Sequence, residues 1–236
     1  MKIKNYGEYQ RECVNNIPQN IRDQNGMIKS ALNIDITNWK QHIDHLTAQI
    51  PAQFLFKSNY DALSFFKSDI KGLTNPQIHL KVEGSWSGLH EEHLRLRTVN
   101  LNHGKGIIQA LETYLSMKIG PNTCLWYAIG GDQIPKFQQL VQGSYKIDIY
   151  KERGSYFPDI DFCIKNGIKL HYFAQEPGDI VLLGPGSWHW VKCSGVTMNT
   201  SWNFFGKDIL QFDQAFKRQE INKILSIKVF LLTIFF

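Results

Sequence analysis

The chain has 236 residues, of which 43% are apolar and 20% charged, an ordinary balance for a soluble globular protein with one sizeable core and a small helical appendage. The formal charge of +5 comes from scattered Lys and Arg, with no run dense enough to mark a nucleic-acid surface. Cys13, Cys124, Cys163 and Cys193 lie far apart and form no C-x-x-C pair, which excludes a zinc ribbon within this sequence and gives no sign of a secreted disulfide scaffold.

Residues 1–30 read as polar and helical, interrupted by Pro18, with no signal-peptide pattern. "ALNIDITNWKQHIDHLTAQIP" reads as a short strand followed by a helix capped by Thr37 or Asn38 and stopped by Pro51. His42 and His45 lie three apart on that helix, a spacing more common on a polar face than in a metal site. "YDALSFFKSDI" predicts a second helix. From Gln77 the pattern changes to short strands punctuated by Gly and Pro: "QIHLKVEG", "LRLRTVNLN", "CLWYAIG", "KLHYFAQ", "DIVLLG", "HWVKC" and "MNTSWNFF". An amphipathic segment at 105–120 interrupts them, with Ile108, Leu111 and Leu115 at helical spacing. "DQAFKRQEINKIL" returns to a helical pattern, and the apolar end "KVFLLTIFF" is shorter than the roughly 20 residues a membrane span needs.

Many short strands with helices before and after them predict a mainly β fold with helical flanks, a double-sheet jelly-roll barrel. The expected divisions are a helical flank over 1–75, a barrel over 76–205 with the inserted helix at about 105–119, and a truncated helical segment over 206–236.

The chemistry gathers in "GSWSGLHEEHLRLRTVN" at 84–100. If residues 90–100 are extended, His90, Glu92, Leu94, Leu96, Thr98 and Asn100 share one face, and Glu91, His93, Arg95 and Arg97 share a wetter one. An imidazole and a carboxylate pointing inward are costly to bury unless something binds them. The spacing does not fit the helical H-E-x-x-H of a zincin, because the second histidine comes one residue too soon. A third ligand candidate is His189, which opens the strand after the turns and buried strand of "EPGDIVLLGPGSWHWV". Two imidazoles and a carboxylate on one face of an octahedral metal favour non-haem Fe(II) with open positions. The alternative is a charged strand edge and unrelated barrel histidines.

At these residues the sequence resembles the JmjC-domain oxygenases, and among them the branch that demethylates lysine-27 of histone H3. The similarity runs from about Asn33 to Lys223 and includes "NIDITNWKQHIDHLTAQIPA", "LKVEGSWSGLHEEHLRLRTVNLN", "CLWYAI", "EPGDIVLLGPGSWHWV" and "NTSWNFFG". The resemblance implies a nuclear Fe(II)- and 2-oxoglutarate-dependent enzyme that consumes dioxygen and acts on a histone H3 tail, with chromatin-associated proteins as further partners and no membrane or direct nucleic-acid contact. It implies His90, Glu92 and His189 as iron ligands and Lys81 as the partner of the distal carboxylate of 2-oxoglutarate. Ser87, Thr98, Asn100 and Asn199 are implied as further co-substrate contacts. Three features depart from the branch. His79 stands where a tyrosine lies beside the methylated lysine, the 105–120 segment replaces a short turn and could displace Trp126, and no cysteine follows Cys193 where a zinc-binding module is expected. A JmjC protein hydroxylase and a catalytically weak chromatin scaffold are the competing readings.

Overall fold

The short strands expected after Gln77 form, and they pair into two antiparallel sheets. This computed structural model describes residues 30–66, 73–104, 109, 112–113, 116, 120–152 and 154–227. Among them are nine strands: β1 (Ala31–Asp35), β2 (Gln77–Lys81), β3 (Trp86–His90), β4 (Arg97–Asn102), β5 (Thr123–Ile129), β6 (Leu170–Gln175), β7 (Ile180–Leu183), β8 (Trp188–Ser194) and β9 (Thr197–Phe204). One sheet has the order β1-β2-β9-β4-β7 and the other β3-β8-β5-β6. Neighbours distant in sequence, such as β2 beside β9 and β3 beside β8, close the jelly-roll barrel expected from the strand pattern.

Alternation along each strand divides its side chains between the barrel interior and an outer covering layer. On β4 and β9, Val99, Trp202 and Phe204 point outward and pack with Leu46 and Ile50, from helix α1 (Lys40–Gln49) and its C-cap. Thr98, Asn100 and Asn199 lie on the opposite face and are buried. On the other sheet, Leu89, Ile129, Trp188 and Trp190 point outward against α2 (Ile134–Tyr145), α3 (Ile149–Glu152) and α4 (Ile160–Lys165). Each large apolar side chain fully buried there contributes about 1.5–3 kcal/mol. Because β8 is covered on both faces, Trp188, His189, Trp190, Val191 and Cys193 are all buried.

Those three helices add to the expected flanking helices and the one insertion expected at about 105–119. They are inserted between β5 and β6, where they shield a sheet face that would otherwise expose two tryptophans. The predicted helix at 60–70 is only a 3-10 turn at Ala62–Phe65 in its described part. The α1 cap also differs: Thr37 donates its hydroxyl to Asp35 Oδ1, so the helix starts after Trp39 with no side-chain cap. The predicted helical pattern near the C-terminus forms as α5 (Ile209–Ile224), capped by Asp208, which accepts from Gln211 N. The predictions for residues 1–29 and for the apolar end lie outside the described residues, as does most of the 105–120 segment.

The largest correction concerns residues 90–100, which are not one strand. β3 ends at His90, a 3-10 turn occupies His93–Arg95, and β4 begins at Arg97. Leu94 and Arg95 both have a φ of 53°, and this pair of left-handed residues resets the alternation between the two strands.

Candidate metal centre

β3 and β8 pair directly, with His90 opposite His189 in the register. Their rings lie 4.2 Å apart between centroids. Glu92 follows β3 in extended conformation, and one ligand atom from each of His90, Glu92 and His189 lies within 4.8 Å of the others. Among the described residues no other group of three or more His, Cys, Asp or Glu converges in this way.

The two imidazoles are oriented by their own hydrogen bonds. His90 Nδ1 is 2.7 Å from Gly88 O, and His189 Nδ1 is 3.2 Å from Ser187 O. Each carbonyl accepts a proton from Nδ1, which leaves Nε2 as the lone-pair nitrogen available to a metal. Burial, followed by the adjacent His90, pushes His189 well below the ordinary imidazole range. The ring is thereby kept neutral, as a ligand must be. Gly88 has a second role: a Cβ there would lie 2.3 Å from Gly154 O and 2.6 Å from Tyr156 O, so any side chain would push β3 off the neighbouring loop.

Trp126, which the inserted segment was expected to threaten, is buried in the barrel and stacked on His189 at 5.5 Å and on Phe173 at 6.0 Å. Its indole donates to Gln175 Oε1 at 2.9 Å. Gln175 Nε2 in turn reaches Asn100 O and Oδ1, at 2.9 and 3.2 Å. Asn199 Nδ2 donates to Asn100 Oδ1 at 2.9 Å. The two asparagines singled out in the sequence are thus joined, through a glutamine that sequence reasoning missed. Its signal was present: Gln175 is a polar residue in an otherwise apolar strand position, just before the Pro-Gly-Asp turn.

Lys81 is only 7% exposed. It stands opposite Thr197 in the β2–β9 register, and its charge acts on His79, His189, Cys124 and Cys193. Among the described residues its ammonium has no hydrogen-bond or ion-pair partner, so the interior holds a cation without an anion. Thr98 is buried and accepts at Oγ1 from Asn203 Nδ2 at 3.0 Å, leaving its hydroxyl proton free to donate. Ser87 is half-buried on β3 opposite Val191.

His79 shares the inward face of β2 with Lys81. Its Nδ1 accepts from Asn33 N at 3.3 Å, so its Nε2 proton donates to Ser201 Oγ at 2.6 Å. Burial, then Lys81 and His90, lower it to about 3, and the ring is neutral. Cys124 and Cys193 meet across β5 and β8 with their sulfurs 3.7 Å apart, and Cys124 also contacts Asn199 Oδ1 at 3.5 Å.

The sequence reading placed Glu91 on the wetter face, and the structure reverses this. Its side chain is 2% exposed and pairs with Arg95 at 3.0 Å and Arg218 at 2.6 Å. Burial pushes its carboxyl up, against the pull of Arg218 and Arg95. The 3-10 turn after Glu92 carries Glu91 inward beneath α5, while His93 is left exposed.

The residues fit the group that the resemblance implies: two imidazoles and a carboxylate converge, and an ammonium unpaired among the described residues lies in the same interior. Comparison with known proteins agrees. Residues 107–204 match the family model described as JmjC domain, hydroxylase. The match includes His189 and Asn199, whereas Lys81, His90 and Glu92 precede it. Human lysine-specific demethylase 6B is 28% identical over 205 residues, covering 86% of this chain and 11% of that protein. Lysine-specific demethylase jmjd-3.1 of Caenorhabditis elegans is 22% identical over 201 residues, covering 84% of this chain and 17% of its own. Lysine-specific demethylase REF6 of Arabidopsis thaliana is 25% identical over 176 residues, covering 68% and 11%. This chain therefore spans between about a tenth and a sixth of the length of these relatives.

Proposed function

We propose that this chain is the catalytic barrel of a JmjC-type, Fe(II)- and 2-oxoglutarate-dependent lysine demethylase acting on histone H3, with methylated lysine-27 as its substrate. The observation that carries the reading is the convergence of His90, Glu92 and His189 within 4.8 Å inside a barrel that also buries the unpaired Lys81. In this reading the three side chains hold Fe(II) and leave its remaining positions open. Such a centre, when loaded, supplies oxidation of an N-methyl carbon coupled to decarboxylation of 2-oxoglutarate by dioxygen; succinate, carbon dioxide and formaldehyde leave.

The chain's own part is to bind, orient and exclude water. Lys81 supplies a charge-assisted contact for the distal carboxylate of 2-oxoglutarate. The Thr98 and Ser87 hydroxyls and the Asn100 and Asn199 carboxamides give neutral hydrogen bonds around it. Gln175 holds the two carboxamides in fixed orientation, so little is lost in ordering them when the co-substrate enters. Trp126, stacked on His189, walls that ligand off from the interior behind it. His79 is already bonded at both nitrogens, which makes it a neutral wall of the pocket rather than a base.

The test is incubation of the full chain with Fe(II), 2-oxoglutarate and a trimethylated lysine-27 H3 peptide, read by mass spectrometry. Losses of about 14 or 28 mass units that vanish in His90→Ala support the reading. A gain of about 16 units on another substrate points instead to a hydroxylase, and iron binding without succinate release to a scaffold.

A further inference from the structure

Glu92 differs from the two histidines in what orients it. Each histidine has an Nδ1 bond to a carbonyl, whereas among the described residues the Glu92 carboxylate has no hydrogen-bond partner. Its direction is set by the backbone on either side. That backbone runs from β3 into the turn where Leu94 and Arg95 are both left-handed, a conformation non-glycine residues hold only where their surroundings impose it.

The surroundings here are one face of α5. Gln211 Nε2 donates to Arg95 O at 3.0 Å, and Gln214 Oε1 accepts from Arg95 Nη1 at 2.9 Å. Ala215 packs in the same cluster as Leu94, and Arg218 Nη1 lies 2.6 Å from Glu91 Oε1. Residues 211, 214, 215 and 218 recur at the helical period and lie on one side of the helix. The second Glu91 oxygen accepts from Arg95 Nε at 3.0 Å. One buried carboxylate, located in sequence between His90 and Glu92, therefore ties the turn to the C-terminal helix through its ion pairs with Arg95 and Arg218.

We propose that Glu91 is the positioning residue of the metal centre: gripped by Arg95 and Arg218, it fixes the backbone that aims Glu92. Through this contact α5, which supplies no ligand, sets the metal affinity of the barrel. The inference rests on the reading of His90, Glu92 and His189 as ligands. It assigns Glu91 no contact with metal or substrate.

The test separates positioning from plain support of the fold. Removing one member of a buried ion pair strands the other charge, so single substitutions also weaken the fold; removing both relieves that penalty. The key variant is therefore the double substitution Glu91→Gln with Arg218→Met, prepared in the full chain beside Glu91→Gln alone. Arg97→Gln is the control, because it breaks the Arg97–Asp208 pair that anchors the same helix without touching Glu91. Mn(II) binding is measured by calorimetry and Co(II) loading by its ligand-field absorption. The expected result is a thermal midpoint of the metal-free double variant near that of the unsubstituted chain, with Mn(II) bound about 10- to 100-fold more weakly and a shifted Co(II) band. Arg97→Gln lowers the midpoint and leaves both metal readouts in place. Mn(II) affinity in the double variant within about twofold of the unsubstituted chain overturns the inference alone. Failure of the unsubstituted chain to bind Mn(II) or Co(II) overturns the ligand reading, and this inference with it.

Discussion

Inside the barrel, His90 and His189 face each other with Glu92 beside them; on the outer side of the five-stranded sheet, His42 and His103 face each other across Thr200. The two pairs have much in common. Ring centroids are 4.2 Å apart in the first and 5.2 Å in the second. Burial lowers His189, His42 and His103 alike, His103 to about 4. The difference is what lies beside the rings. His42 Nε2 and His103 Nε2 both reach Thr200 Oγ1, at 3.3 and 2.5 Å, so one hydroxyl satisfies both rings by accepting from one and donating to the other. In the inner pair each Nδ1 is bonded to a carbonyl, the other nitrogen is left over, and a carboxylate completes the triangle. Proximity and desolvation are common to both pairs; only the inner one has a carboxylate converging on it, as a metal would require.

The largest effect that tests this contrast is loss of metal. His189→Ala is expected to weaken Mn(II) or Fe(II) binding by more than about 100-fold, beyond the loss typical of residues that only support a ligand. His42→Ala is expected to leave metal affinity unchanged and to cost about 1 kcal/mol of stability, the worth of an ordinary hydrogen bond. Equilibrium dialysis and urea unfolding on the two variants check both halves. Equal metal loss in both would erase the distinction drawn here.

Lys81 gives the next effect. In Lys81→Met the half-saturating concentration of 2-oxoglutarate is expected to rise about 10- to 100-fold, the worth of one charge-assisted hydrogen bond. Without co-substrate the same variant is expected to be more stable than the unsubstituted chain, because it removes a buried cation that lacks an anionic partner. The opposite sign in urea unfolding would mean that Lys81 supports the folded barrel rather than waiting for an anion.

What the sequence disclosed follows the same physics. Period-2 alternation made the strands readable, and the inward positions Thr98, Asn100 and Asn199 stand where alternation puts them. The iron-ligand candidates also converge, although by a different route from the one expected. Residues 90–100 look like a single alternating run, yet the turn at Leu94 and Arg95 breaks it, and neither residue type announces a left-handed φ. Glu91 was misassigned for the same reason. Once the strand ends at His90, parity no longer says which carboxylate is wet, and the answer depends on an arginine 127 positions away on α5. The helices between β5 and β6 were missed because their apolar stripes are short and mixed with aromatic residues. Gln175 was missed because a lone buried amide acquires meaning only from the partners that folding brings to it.

The smallest effect concerns acid. His103 is neutral in the fold, with a value of about 4 against 6.5 when unfolded, the cause being burial and then the nearby His42 and His45. Below pH 6.5 the unfolded chain takes up a proton that the folded chain refuses until about pH 4. The stability from keeping this ring neutral is therefore fully present above pH 6.5 and is lost as pH falls toward 4. His103→Gln removes the titrating group while keeping a side chain able to bond Thr200. Urea midpoints at pH 7 and pH 5 should show the unsubstituted chain losing about 1 to 2 kcal/mol more than the variant across that interval. Saturating Mn(II) should leave this difference unchanged, because among the described residues no carboxylate converges on the outer pair to complete a site. A difference that disappears on metal loading would mean that the two histidine pairs are coupled through the sheet between them, and that the inner site is felt on its outer face.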